Sequence, residues 1–356
     1  MAALGVALIA IGVLVAMPEP QWATTAQPPL DEAPSALNLP ESVTTPAKLA
    51  DGADYTPRLF LAADTSIGQA PTRDGRALRL VLVTPSAATE LRQVDLEDQP
   101  QFDGFAASGG TVVWAESVTT ASGGTRTSIW RSGWRNRPSP SVVTDQTGEV
   151  TFAGSQYDVV VHSGRVYWTA AATGGATSVR SVALDGAGLT TKRLAGSFAL
   201  TAWPWAVTVD GGRGKPVELV NYDTDARQSV VTSDEETVVC SPQWCRVIVL
   251  GAESLTRMEL VRPDGSGRRP LAGTEATPTL VDVALLDRFV PLATDRGAGA
   301  GLSLFDITTG QTELIAADAS SVRGSGAMLW WSGPADGSDD PGAEPTWRAL
   351  DLRSLA

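Results

Sequence analysis

The sequence predicts an all-β fold: a single β-propeller of seven blades, each of about four antiparallel strands, preceded by an N-terminal apolar helix and a linker. Three observations lead there. After residue 50 no segment sustains a helical period, and short apolar or alternating runs are separated by Gly, Asp, Pro and Ser clusters. These runs recur in a fixed order. Their period is long enough for three or four strands per copy, and one such sheet cannot hide both of its faces without a neighbour.

The chain begins with an uncharged run, Ala2 to Met17, "AALGVALIAIGVLVAM". A membrane span needs about 20 such residues and the core of an export signal about 7–15, so the run lies between the two. No basic residue precedes it, and we expect the native start to lie slightly upstream. Residues 18–35 are rich in Pro, Thr and Ala without apolar periodicity, which reads as a tether. The expected layout is a signal anchor or cleaved signal peptide at 1–17, a linker at 18–35 and the propeller at 36–356. The expected location is the cell membrane with the propeller on the extracytoplasmic side, or secretion if the signal is cleaved.

Within the propeller, one type of apolar run includes "RLFLAAD" (58–64), "TVVWAES" (111–117), "RVYWTAA" (165–171) and "AMLWWSG" (327–333). A second type follows each of these. It begins at residues 77, 127, 178, 216, 257, 301 and 347, so the units are spaced by 38 to 51 residues. Several second-type runs end in Asp-Gly or Thr-Gly turn signals. A third type, such as "SVVT" or "TELIA", completes six of the seven units. The last unit stops at Ala356 without one. Residues 36–50, with Leu37, Leu39 and Leu49, are expected to supply the missing strand, because an unpaired final edge invites aggregation.

"ELVRPDGSGRRPLAG" (259–273), "SVALDGAGLTTKRLAG" (181–196) and "LSLFDITTGQTELI" (302–315) resemble the TolB-type propeller repeat, in which a strand ends in an Asp-Gly turn before the next outer strand. The resemblance covers three of the seven units clearly. It implies an extracytoplasmic protein-interaction propeller without catalysis, of an actinobacterial membrane-anchored or exported kind. Residues 18–50 leave no room for the N-terminal α/β domain of TolB, so a role tied to that domain does not carry over.

Both cysteines, Cys240 and Cys245, flank the short turn "SPQW" between two strand-like runs. Facing residues of a hairpin reach disulfide distance, and a disulfide is the expected outcome outside the cytoplasm. Free thiols, a redox pair and a metal site are the alternatives. Zinc would need two further ligands, and His162 is the chain's single histidine. That count also forces any Ser-His or Cys-His catalysis through His162, which is expected to lie at a turn.

Eleven tryptophans accompany seven phenylalanines. Trp114, Trp168, Trp330 and Trp331 fall in the repeated apolar runs and are expected between blades. Trp130, Trp134, Trp203 and Trp205 are candidates for either packing or an interaction face, with Arg131, Arg135 and Arg137 as a local basic patch. Asp336, Asp339, Asp340 and Glu344 form an acidic loop with the oxygen ligands that calcium favours. Their spacing does not fit an EF-hand, and a solvated loop is the expected state.

The net charge of −13 argues against nucleic acid or an anionic membrane surface as partner. No phosphate loop, nucleophile elbow or HExxH is present. The inner runs "QFDGFAASGG" and "ASSVRGSG" offer Asp103 and Arg323 as the only charges expected to face the channel. The expected function is therefore a non-catalytic, tethered or exported propeller, monomeric and without cofactor, serving as an interaction scaffold for envelope proteins. The alternative is an extracytoplasmic propeller enzyme or ligand-binding protein acting on glycans or small molecules.

Overall fold

The computed structural model describes residues 37–135, 138–251, 255–272, 276–295, 300–334 and 345–355. The expected anchor and linker, Arg137, and the acidic residues Asp336, Asp339, Asp340 and Glu344 lie outside the described residues. Among the described residues no helix is long and apolar enough to cross a membrane.

Seven antiparallel sheets form the blades, and six of them use consecutive strands. The first strands are Thr56–Ala62, Gln101–Ser108, the interrupted pair Glu149–Val150 and Val159–His162, Phe198–Leu200, Glu236–Cys240, Ala276–Pro278 and Ser320–Ser325. Neighbouring first strands of blades 7, 1, 2 and 3 touch one another, which places them at the ring axis. Second and third strands are buried on both faces by adjacent blades, so they read as apolar runs. Trp114, Trp168 and Trp331 occupy the same position in the second strands of blades 2, 3 and 7, three residues after each hairpin closes, and none is more than 1% exposed. Burying a tryptophan of about 150–250 Å² contributes roughly 4–6 kcal/mol at 25 cal/mol per Å².

One run belongs elsewhere than expected. "RLFLAAD" lies largely in the first strand of blade 1, and the second strand is Thr65–Pro71, "TSIGQAP". That strand lacks an apolar run because backbone packs close to it. A Cβ on Gly68 would lie 2.3 Å from the Thr56 carbonyl oxygen, so glycine alone fits there.

The ring closes through the N-terminal segment. Val43–Pro46 pairs antiparallel with Thr346–Asp351 as the outer strand of blade 7, from Val43 opposite Ala349 to Pro46 opposite Thr346. Trp347 seals the seam by donating its Nε1–H to the Tyr55 carbonyl at 2.9 Å. Phe60 of blade 1 lies 5.5 Å from the Trp330 ring of blade 7.

Cys240 ends the first strand of blade 5 and Cys245 begins the second; they pair directly and form a disulfide with Cα atoms 4.0 Å apart. The loop it closes is short, so its contribution is about 2 kcal/mol by loop entropy. The double variant Cys240→Ser/Cys245→Ser is expected to fold, with denaturant stability reduced by about that amount. In the wild-type protein both thiols should resist alkylation until a reductant is added.

Candidate functional site

The channel side of blades 7, 1, 2, 3 and 6 encloses a cavity of about 320 Å³. Four of the five first strands around it depart from regular pairing, being bulged or interrupted, while that of blade 6, Ala276–Pro278, is short and pairs without a shift. Blade 1 bulges between Pro57 and Leu59, at Arg58. Blade 2 bulges between Asp103 and Ala106, and blade 7 between Ser320 and Arg323. Ser321 holds a φ of 49°, unusual for a residue with a side chain. By contrast, the first strands of blades 4 and 5 pair without a shift. Bulges re-aim side chains and cluster beside functional sites. Here they bring Arg58, Asp103 and Arg323, each within the first four residues of its strand, to one end of the channel.

Two irregular excursions span the channel beneath these residues. In blade 3 the first strand breaks at 151–158, and Asp158 turns the loop back by accepting the Ala153 and Gly154 amides at 2.7 and 2.9 Å. In blade 6 the strand ends at Pro278 and residues 279–285 run inward. The excursions meet at Asp282, which accepts Ser155 Oγ–H at 2.6 Å and the Gln156 amide at 3.1 Å. Gln156 Oε1 accepts the Gly326 amide of blade 7 at 2.6 Å. From blade 5, the buried Arg246 guanidinium donates to the carbonyls of Leu280, Val281 and Asp282 at 2.9–3.1 Å. Four blades are thus stitched across the axis. On the side of blades 4 and 5 lies a second, apolar cavity of about 210 Å³, lined by Val207, Val238, Val281 and Val283 among others.

The charges are arranged accordingly. Arg58 Nη2 pairs with Asp103 Oδ1 at 2.6 Å. Burial raises the Asp282 carboxyl against its hydrogen bonds and the Arg246 charge. Burial likewise pushes Asp158 up to about 6, helped by the nearby Asp282 and opposed by the two amides. Arg246 is lowered to about 10 by burial, partly offset by Asp282. Arg323 opens to the cavity, makes no hydrogen bond or ion pair among the described residues, and is lowered first by burial and then by the Arg58 charge.

Asp158 gives a pH-dependent expectation. The unfolded carboxyl titrates near 3.8 and the folded one near 6, so the fold binds this proton more tightly. Its contribution is therefore complete below about pH 4 and is lost as pH rises through 6. A two-unit shift corresponds to roughly 3 kcal/mol. Melting curves should show Asp158→Asn gaining on the wild type by up to about that amount between pH 4 and 7.5.

The sequence had pointed to Asp103 and Arg323 as the only channel charges. The structure corrects this by adding Arg58, Asp158 and Asp282 to the same cavity. The other candidates lie away from it. Trp130 stacks on Trp114 at 6.3 Å beneath Arg92, and Trp134 packs in the same core with Arg135 over its ring. Arg131 donates to Ser141 Oγ at 3.4 Å. Trp203 packs among Tyr167, Tyr222 and His162, and Trp205 against the core of blades 4 and 5. His162 is exposed before the Ser163–Gly164 turn. Among the described residues no cluster of three metal-ligating side chains occurs.

No protein-family profile matches the sequence, and no curated protein does. Solved structures do resemble the fold. An uncharacterised protein of Listeria monocytogenes aligns over 82% of this chain and 92% of its own, with 9% identity and a TM-score of 0.51. TolB from Acinetobacter baumannii aligns over 77% of this chain and 59% of its own, with 10% identity and a TM-score of 0.35. The acylaminoacyl peptidase of Pyrococcus horikoshii aligns over 67% of this chain at 7% identity and a TM-score of 0.47, and this chain spans only 43% of that protein. At such identities the shared feature is the propeller fold.

Proposed function

We propose that this chain is an exported, membrane-tethered propeller that recognises an envelope partner at the Arg323 end of its channel and performs no chemistry on it. The observation that carries this reading is the concentration of backbone irregularity on one cavity. The first strands of blades 7, 1 and 2 bulge where Arg323, Arg58 and Asp103 stand, while those of blades 4 and 5 stay regular. A non-catalytic role is supported by how the cavity's carboxylates are used. Asp158 and Asp282 hold loop amides and a serine hydroxyl, and Asp103 holds Arg58. The Cys240–Cys245 disulfide supports a location where such bonds persist.

Site-specific photo-crosslinking in intact cells tests the reading. A crosslinker at Ser321, which is exposed on the cavity, should capture a membrane-fraction partner. One at Gln243, in the disulfide turn at the far end of a first strand, should not. Equal capture from both positions, or none from Ser321, would count against it. For location, protease added to spheroplasts should digest the propeller, and protection would contradict export.

A further inference from the structure

We infer that the cavity at the Arg323 end of the channel binds a single carboxylate, carried by a small polar molecule or by the end of a peptide, through the Arg323 guanidinium. This inference deepens the reading of that end of the channel as the recognition site and rests on it.

The charge balance selects the ligand. Asp103 neutralises Arg58 through a 2.6 Å ion pair. Arg246 sits behind the floor and faces the Asp282 main chain, so its charge offsets that carboxylate. Arg323 is left with its fork of donors on the cavity and no acceptor among the described residues. A planar guanidinium and a carboxylate match as a bidentate pair. Asp158 spends its oxygens on the Ala153 and Gly154 amides, so Arg323 is the cavity cation without a direct acceptor among the described residues, and one such guanidinium fits a monoanion. A dianion such as phosphate would meet Asp103, Asp158 and Asp282 around the same cavity, which disfavours it.

The rest of the lining is polar and suited to the body of such a ligand. Ser321 and Ser325 flank Arg323, and Gln156 lies on the floor. The Gln156 side-chain carbonyl accepts the Gly326 amide and its amide group lies against Asp282, which fixes the side chain in the floor. The cavity of about 320 Å³ is too small for a folded domain and fits a small acid or a chain end. The bulge between Ser320 and Arg323, with the positive φ at Ser321, holds the arginine in this place.

Titration calorimetry on the purified propeller with its disulfide intact tests this with four probes. These are glucuronate, an N-acetylated tripeptide with a free C-terminal acid, the same tripeptide as its amide, and inorganic phosphate. At least one of the two monocarboxylates should bind, the tripeptide amide should not, and phosphate should bind more weakly than the best acid. Binding of glucuronate alone identifies a small acid, and binding of the tripeptide acid alone identifies a chain end. Arg323→Gln should weaken the bound acid at least about tenfold, the loss expected for a charge-assisted pair, with an unchanged melting temperature because the side chain holds nothing in the fold. Asp103→Asn should tighten it, since Arg58 is then released to the ligand. The inference is overturned if neither acid binds, if the amide or phosphate binds as well as the acid, or if Arg323→Gln binds like the wild type. Should the acids fail while the Ser321 crosslink persists, the recognition face stands and the carboxylate alone is wrong.

Discussion

Removing residues 1–52 is expected to abolish cooperative melting or to cause aggregation, while removing residues 1–30 leaves a soluble domain that melts in one transition. The first deletion takes away the strand Val43–Pro46 and exposes the hydrogen-bonding edge of Thr346–Asp351. It also removes Leu39 from the core of blades 6 and 7, Ala47 from the blade 7–blade 1 seam and Leu49 from beside Tyr55. The two leucines are half-buried, and at about 1.5–3 kcal/mol for a fully buried leucine they contribute roughly 2–3 kcal/mol together, against a typical total of about 5–15, before the lost strand pairing is counted. The damage spreads because every blade hides its faces against its neighbours, and an open ring loses that cover at both free ends. Equal melting temperatures for the two truncations would show that the ring does not depend on this strand.

Arg246→Met is expected to destabilise the protein by about 3–5 kcal/mol, the range for removing one member of a buried charged network. The side chain is 4% exposed and serves three carbonyls of the blade 6 excursion, and methionine leaves those oxygens buried without donors. It also leaves Asp282 without its nearest offsetting charge. Arg246→Lys should fall between the two, because one ammonium cannot reach all three carbonyls in the geometry of the fork. Denaturant melts of the three proteins measure the series. A methionine variant as stable as the wild type would mean that the excursion is held by other contacts.

Much of the ring was legible in the sequence for a physical reason. Second and third strands are covered on both faces, so they are written as apolar runs with tryptophans at a repeated position, as at Trp114, Trp168 and Trp331. Closure was legible because the last unit lacks an outer run while 36–50 has strand-compatible residues. The cysteine pair was legible because its bond is local to one hairpin. First strands follow another rule. They line the axis, and in blades 2 and 7 they carry Gly, Ser, Ala and Asp or Arg in "QFDGFAAS" and "SSVRGS" instead of apolar runs. "RLFLAAD" was misplaced because it is a long first strand apolar enough to pass for a second, next to a second strand, "TSIGQAP", that lacks an apolar run, and this hid Arg58. Asp103 and Arg323 stood out as lone charges in small-residue segments. Asp158 and Asp282 did not, because their meaning arises only when two loops 127 residues apart in sequence, at Ser155 and Asp282, meet across the channel. One signal was present: 20 residues separate Thr144 from Arg165, long for a link that must supply one short inner strand.

A recognition site of this kind depends on a cavity that is already formed before any ligand arrives, with its floor fixed by the contacts among Ser155, Gln156, Asp282 and Arg246. Hydrogen–deuterium exchange of the free protein, read by mass spectrometry over peptides spanning 152–158 and 279–285, tests that floor most directly. The amides of Ala153, Gly154 and Gln156 donate to buried carboxylates and should exchange as slowly as those of the blade strands. They should also speed up together with the 279–285 peptide in Arg246→Met. Exchange of both segments within seconds in the wild-type protein, at the rate of an open surface loop, would contradict a preformed site.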